Sequence, residues 1–180
     1  VHYIYSLPYE YYEKYKARKY GAHGTSVRYV SGKAAELLGK DLKDLKLVVC
    51  HLGSGASVTA VKDGKCYDTS MGFSPLAGVT MGTRSGDVDP SVLQYIMKKE
   101  GITDFNEMID ILNHKSGLLG LSGISSDMRD IRNSDDKRAK LADAVFINRV
   151  VRYVGSYIAE MGGADAVVFT AGIGEHDDEV

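Results

Sequence analysis

Three short strand-like segments separated by glycine turns constrain this chain more than any other feature. Leu45–His51 is a short apolar run, Gly53-Ser54-Gly55 turns the chain, and Ala56–Val61 alternates with the two-residue period of a strand. Asp63-Gly64 is a hairpin signal, and Lys65–Thr69 is a third strand. This spacing leaves no room for crossover helices. It therefore predicts an antiparallel meander at the start of a sheet.

The rest of the chain has to cover that sheet. Ala166–Thr170 reads as a buried strand of the parallel type, and Ala171-Gly172-Ile173-Gly174 turns it toward another helix. Between the strands, helices are predicted at about 90–100, with Asp89 as cap and Pro90 as first residue, and at about 104–113, capped by Thr103 or Asp104. Gly117 to Gly123 reads as a glycine–leucine turn region, and Ser125-Ser126-Asp127 as the cap of a helical turn through Arg132. The longest helix covers 136–161. Its stripe of Ala144, Ile147, Val151, Val154, Ile158 and Met161 is widened by Phe146, Val150, Tyr153 and Tyr157, which predicts cover on two sides.

Ahead of the meander, residues 26–39 read as a helix with Ser26 as cap, stopped by Gly39. Residues 1–20 carry seven tyrosines, with a short helix from Tyr9 to Tyr15. The whole is α/β with a mixed sheet. A net charge of −2 makes no electrostatic case for nucleic acid, and no apolar run approaches the ~20 residues that span a bilayer. Cys50 and Cys66 read as buried reduced thiols, which suits a cytoplasmic protein.

Four glycine-bearing loops with polar tips point to phosphate chemistry: His23-Gly24-Thr25-Ser26, His51-Leu52-Gly53-Ser54-Gly55, Gly82-Thr83-Arg84-Ser85-Gly86, and Thr170-Ala171-Gly172-Ile173-Gly174-Glu175. Glycines let backbone N–H groups approach phosphate oxygens, and an arginine fork binds anionic oxygens in pairs. Each loop has a plainer reading. The 53–55 turn could be an ordinary hairpin, His23 could bond to backbone, Arg84 could cap carbonyls or pair with Asp87 or Asp89, and Asp127 could pair with Arg129. No His or Cys spacing suits a metal, and no P-loop is present.

In their order along the chain these loops resemble the acetate kinase family, with its propionate kinase relatives. Tyr20-Gly21-Ala22-His23-Gly24-Thr25-Ser26, His51–Gly55, Met81-Gly82-Thr83-Arg84 followed by Gly86-Asp87-Val88-Asp89-Pro90, and Phe169–Glu175 carry the resemblance. It implies a ribonuclease-H-like domain of the actin-like ATPase superfamily, truncated here. Residues 1–40 would be an interdomain segment and helix carrying the His23 loop, and 41–180 a partial C-terminal domain. It implies phosphoryl transfer from ATP to the carboxylate of acetate, giving acetyl phosphate and ADP. Propionate kinase, butyrate kinase or a noncatalytic actin-like nucleotide-binding module are the alternatives.

By the same resemblance His23 and Arg84 stabilise the phosphoryl group in transfer. His51, Leu52, Gly53, Ser54, Gly55, Asp127, Met128, Arg129, Gly172, Ile173, Gly174, Glu175 and His176 hold ATP or ADP. Mg2+ is implied with its residues outside this chain, so that the chain alone is expected to be inactive. A homodimer is implied too. Ala22 stands where the family has phenylalanine, Val27 where it has histidine, and Ser54 and His176 where it has asparagine.

Overall fold

The structure, a computed structural model, describes residues 1–177. The predicted meander is present as β1 (Lys46–Leu52), β2 (Ala56–Lys62) and β3 (Lys65–Thr69). β4 (Ala166–Thr170) runs parallel to β1, pairing His51 with Thr170, and the sheet order is β3-β2-β1-β4. The turn between β2 and β3 places Asp63 and Gly64 at φ 54° and 71°, the left-handed pair that suits the twist of a tight hairpin.

Both faces of β1 and β2 are covered, which is why their residues are buried almost without alternation. On one face Leu47, Val49 and Val61 pack against Val27, Ala34 and Ala35 of α2 (Gly24–Leu38). On the other, Val48, Cys50, Val58 and Ala60 join Phe146, Val150, Tyr157 and Met161 of α7 (Lys137–Met161). Phe146 is fully buried, and its replacement by alanine would cost roughly 3–5 kcal/mol.

The remaining helices are α1 (Tyr9–Tyr15), α3 (Pro90–Glu100), α4 (Phe105–His114), α5 (Gly117–Ser122), α6 (Met128–Arg132) and α8 (Ala171–His176). A single 3-10 turn spans Leu42–Asp44. Aspartates cap four of the helices: the carboxylates of Asp89, Asp104, Asp127 and Asp136 accept from Ser91 N, Asn106 N, Arg129 N and Arg138 N.

Several sequence expectations need correction. Cys66, read as buried, is exposed on the edge strand β3, and residues 171–174, read as a turn toward a helix, already belong to α8. α2 starts at Gly24, ahead of Ser26. Its N-cap is His23 in the left-handed region at φ 63°, and the Ser26 hydroxyl bonds His51 instead. Gly117–Ser122 is a helix, capped by Gly123, rather than a turn region, because buried Leu118 anchors it and tertiary packing overrides glycine's poor propensity.

The buried face of α7 centres on Ala139, Ala142, Phe146, Val150 and Tyr157, while Val151 is 59% exposed. A broad apolar stripe leaves its own centre open, and the sheet selects it. β4 is half-buried at Ala166 and Val168 and buried at Thr170: α7 lies over β1 and β2, and Val167 and Phe169 remain 37% and 42% exposed.

Candidate functional site

The parallel strands β1 and β4 end on the same side of the sheet, and open α/β sheets bind ligands in the crevice outside such strand ends. The turn after β1 and the start of α8 meet there. A Cβ placed on Gly53 would stand 3.6 Å from the Cβ of Ala171. A cavity of about 630 Å³ opens beside them, lined by Gly53, Ser54, Asp127, Met128, Arg129, Gly172, Ile173 and His176 of the expected residues.

Ser126, Arg132, Asn133 and Asp177 complete the lining and were not among the expected site residues. The others take different places. Leu52 is fully buried in the core. Glu175 accepts from Thr170 Oγ1 and Ala171 N, both at 3.1 Å, and so braces the turn in which Ala171 has φ 67°. Gly174 packs against Cys50 O and Phe169.

Gly55, His23 and Arg84 form a second part of the site next to this cavity. Gly82 N donates to Ser54 O at 3.1 Å, tying the arginine loop to the 53–55 turn. The loop itself is held from behind. Ser116 N donates to Thr83 O at 3.0 Å, Leu118 N to Met81 O at 2.9 Å, and Thr83 Oγ1 to Asn113 O at 2.8 Å. Gly117, at φ 60°, lies so close that a Cβ would sit 2.2 Å from Met81 O, so only glycine fits beneath the arginine loop.

Arg84 does not pair with Asp87 or Asp89. Its Nη1 donates to Pro75 O at 2.8 Å. Asp87 accepts from Gly78 N at 2.8 Å and from the Tyr153 hydroxyl, and Asp89 caps α3. The other end of the guanidinium reaches over Gly55. A Cβ on Gly55 would lie 3.0 Å from Arg84 Nη2 and 3.7 Å from His23 Nε2. The missing side chain at Gly55 is what lets the two groups converge.

His23 is bonded to a side chain rather than to backbone. Its Nδ1 lies 2.9 Å from Ser57 Oγ, and its ring stacks on His51 with centroids 3.9 Å apart and planes 19° from parallel. His51 in turn holds Ser26 Oγ at 2.8 Å through Nδ1. Burial, the neighbouring His51 and the Arg84 charge lower the His23 pKa to about 4, so the ring is neutral at pH 7. Burial also lowers the His51 pKa, partly opposed by Glu175.

Asp127 and Arg129 both line the cavity and pair with each other. Arg129 Nη2 lies 2.6 Å from Asp127 Oδ2, and this bond, with the backbone bond of the cap, holds the Asp127 pKa down at about 2. The cavity carboxylates Asp127 and Asp177 each face a guanidinium, of Arg129 and Arg132, so these described residues do not assemble a metal donor set. The one group of three convergent ligand atoms among the described residues, on His2, Asp68 and Glu160, shares no residue with the cavity.

Comparison with known proteins agrees with this arrangement. The model of the acetokinase family matches residues 1–180. An acetate kinase of Lacticaseibacillus paracasei is 66% identical over 180 residues, covering 99% of this chain and 46% of that protein. One of Fructilactobacillus sanfranciscensis is 64% identical over 176 residues, covering 97% and 44%.

Among solved structures, the acetate kinase of Porphyromonas gingivalis superposes with a TM-score of 0.93 at 48% identity, over 96% of this chain and 44% of that one. A propionate kinase of Francisella tularensis gives 0.91 at 47%, over 97% and 45%. The chain thus spans about half the length of the relatives it matches. Its four-stranded mixed sheet is part of the actin-like ATPase fold of these kinases. On sequence and on fold alike, the chain belongs to the acetokinase family.

Proposed function

We propose that the protein carrying this chain is an acetate kinase, moving the γ-phosphoryl group of ATP onto a carboxylate oxygen of acetate. The new bond joins that oxygen to phosphorus, the bond from phosphorus to the bridging oxygen breaks, and ADP leaves with its electron pair. The observation that carries this reading is the convergence of Arg84 Nη2 and His23 Nε2 over Gly55, beside the 630 Å³ cavity.

Phosphoryl transfer asks a protein for position and for stabilisation of spread negative charge more than for covalent chemistry. Arg84 supplies a permanent cation with a planar fork. His23, neutral and fixed by Ser57 and His51, supplies a hydrogen bond without a second charge. A noncatalytic nucleotide-binding module has no need for these two groups to meet.

The cavity residues suit a nucleotide substrate. Gly53 and Ser54 of the turn after β1 and Gly172 and Ile173 at the start of α8 offer backbone close to the ends of β1 and β4, and Arg129 and Arg132 share the lining. Mg2+ would neutralise charge on the phosphates. Asp127 and Asp177 face the guanidinium groups of Arg129 and Arg132.

The full-length protein should form acetyl phosphate from ATP and acetate, trapped as the hydroxamate, and lose this with Arg84→Ala. Wild-type turnover in that variant would defeat the reading. Propionate is a second candidate acceptor, since an acetate kinase and a propionate kinase superpose equally well, and competition between the two acids decides. The 180-residue chain alone should bind ATP weakly and not turn over. A homodimer is also proposed, from the resemblance to the family, and sedimentation of the full-length protein tests it.

A further inference from the structure

We propose that Ser57 sets the tautomer of His23 and thereby makes this neutral imidazole a hydrogen-bond donor toward the space that Arg84 also faces. The proposal rests on the reading of His23 and Arg84 as phosphoryl-binding groups. Ser57 is fully buried on β2, opposite His51 in the β1–β2 register, and does not line the cavity.

Ser57 Oγ has one hydrogen bond among the described residues, to His23 Nδ1 at 2.9 Å. Two proton arrangements satisfy that distance, and they differ in what they leave behind. With the proton on Nδ1, His23 would donate to Oγ, and the hydroxyl proton of Ser57 would be buried with no acceptor. With the proton on Nε2, Ser57 donates into the Nδ1 lone pair and its donor is satisfied. Buried donors without acceptors are rare in folded proteins because their lost hydration is not replaced. The accounting therefore selects Ser57 as donor, Nδ1 as acceptor and Nε2 as the protonated nitrogen.

The stack with His51, itself tied through Nδ1 to Ser26 Oγ at 2.8 Å, fixes the plane of the His23 ring. Nε2 is then held near Gly55, 3.7 Å from where a Cβ would stand, with Arg84 Nη2 3.0 Å from the same point. A neutral imidazole can present either a lone pair or an N–H in that direction. A lone pair would repel the anionic oxygen that Arg84 attracts, and an N–H would share it. Ser57 decides between the two without touching the ligand, so it is a positioning residue.

The test reads the tautomer directly. In the 15N-labelled 180-residue chain at neutral pH, His23 should show a protonated Nε2 and an unprotonated Nδ1 shifted by a donor; His23→Gln assigns the signals. Ser57→Ala should move the Nδ1 resonance toward that of an unpartnered acceptor, and Ser57→Thr, which keeps the hydroxyl, should restore it. A proton on Nδ1, or an Nδ1 resonance indifferent to Ser57→Ala, overturns the proposal. If Ser57→Ala does not fold, the wild-type spectrum alone decides.

In the full-length protein, Ser57→Ala should lower kcat about tenfold with little change in the KM for ATP. The same change should have no further effect once His23 is alanine, and an equal loss in both backgrounds overturns the coupling. If His23→Ala itself leaves kcat intact, the phosphoryl-binding reading fails while the tautomer measurement still stands.

Discussion

The His23–Arg84 corner and the Asp127–Arg129 rim use similar side chains on either side of the 53–55 turn, and they are held in opposite ways. At the corner, each group is fixed by residues distant in sequence. His23 meets Ser57 and His51, and Arg84 meets Pro75 on a loop braced by α4 and α5. At the rim, Arg129 bonds the aspartate two positions before it, and its side chain is 87% exposed. Long-range bonds fix direction at the corner, and burial lowers the pKa values of its two histidines. Water and a short loop leave the rim pair adjustable and energetically light.

The contrast is broken most easily at Arg84. Arg84→Ala should lower kcat in the full-length protein by ~10²–10³, rising toward ~10³–10⁵ if the contact acts as an arginine finger does. Its loss of a single bond to Pro75 O predicts only a modest fall in Tm. Arg84→Lys should not restore turnover, because an ammonium lacks the fork. A large fall in Tm with kcat retained would place Arg84 among structural residues.

Gly55→Ala comes next. Its methyl would lie 3.0 Å from Arg84 Nη2, displacing the guanidinium while leaving β1 and β2 paired. Such a misplacement costs about 10²-fold in rate, checked by kcat beside an unchanged circular dichroism spectrum. His23→Ala removes one neutral donor and should cost roughly 10- to 100-fold. A loss larger than that of Arg84→Ala would reverse the assigned order of the two groups.

The pH dependence is a finer test. With the His23 pKa lowered to about 4 from 6.5, the unfolded chain holds a proton between these values that the folded one lacks. The stability tied to this ring is therefore complete above pH 6.5 and lost as pH falls toward 4. His51 is shifted the same way. His23→Gln should flatten part of the acid limb of a Tm-against-pH curve, and an unchanged limb would show that the ring is less buried than described. The smallest effect belongs to the rim. Arg129→Ala should leave Tm unchanged and raise only the KM for nucleotide, and a clear loss of Tm would mean the rim pair is structural.

Local signals made much of this legible. The three meander strands, the caps at Asp89 and Asp127, and the hairpin at Asp63-Gly64 follow from neighbouring residues, so reading along the chain was sufficient. The site was legible as loops but not as a site. Gly53, Ser54, Gly172 and Ile173 announce themselves by glycine spacing, whereas Ser126, Arg132 and Asn133 line the cavity only because α6 docks beside the β1 turn. Ser57 had no signal of its own, being a small polar residue in a strand whose partner lies 34 positions away.

Periodicity, glycine turns and caps were enough to determine a mixed α/β sheet with a leading meander, and the order of four loops pointed to the family. These are properties of residues near one another in the chain, governed by backbone preferences and by hydrophobic period. Tertiary structure alone decided which face of α7 is buried, that Gly117 opens a helix beneath the arginine loop, and that His23 and Arg84 meet over Gly55. Each of those depends on how closely distant backbones approach and on which hydroxyl is left to bond which ring. Close packing sets such distances, and no local pattern encodes them.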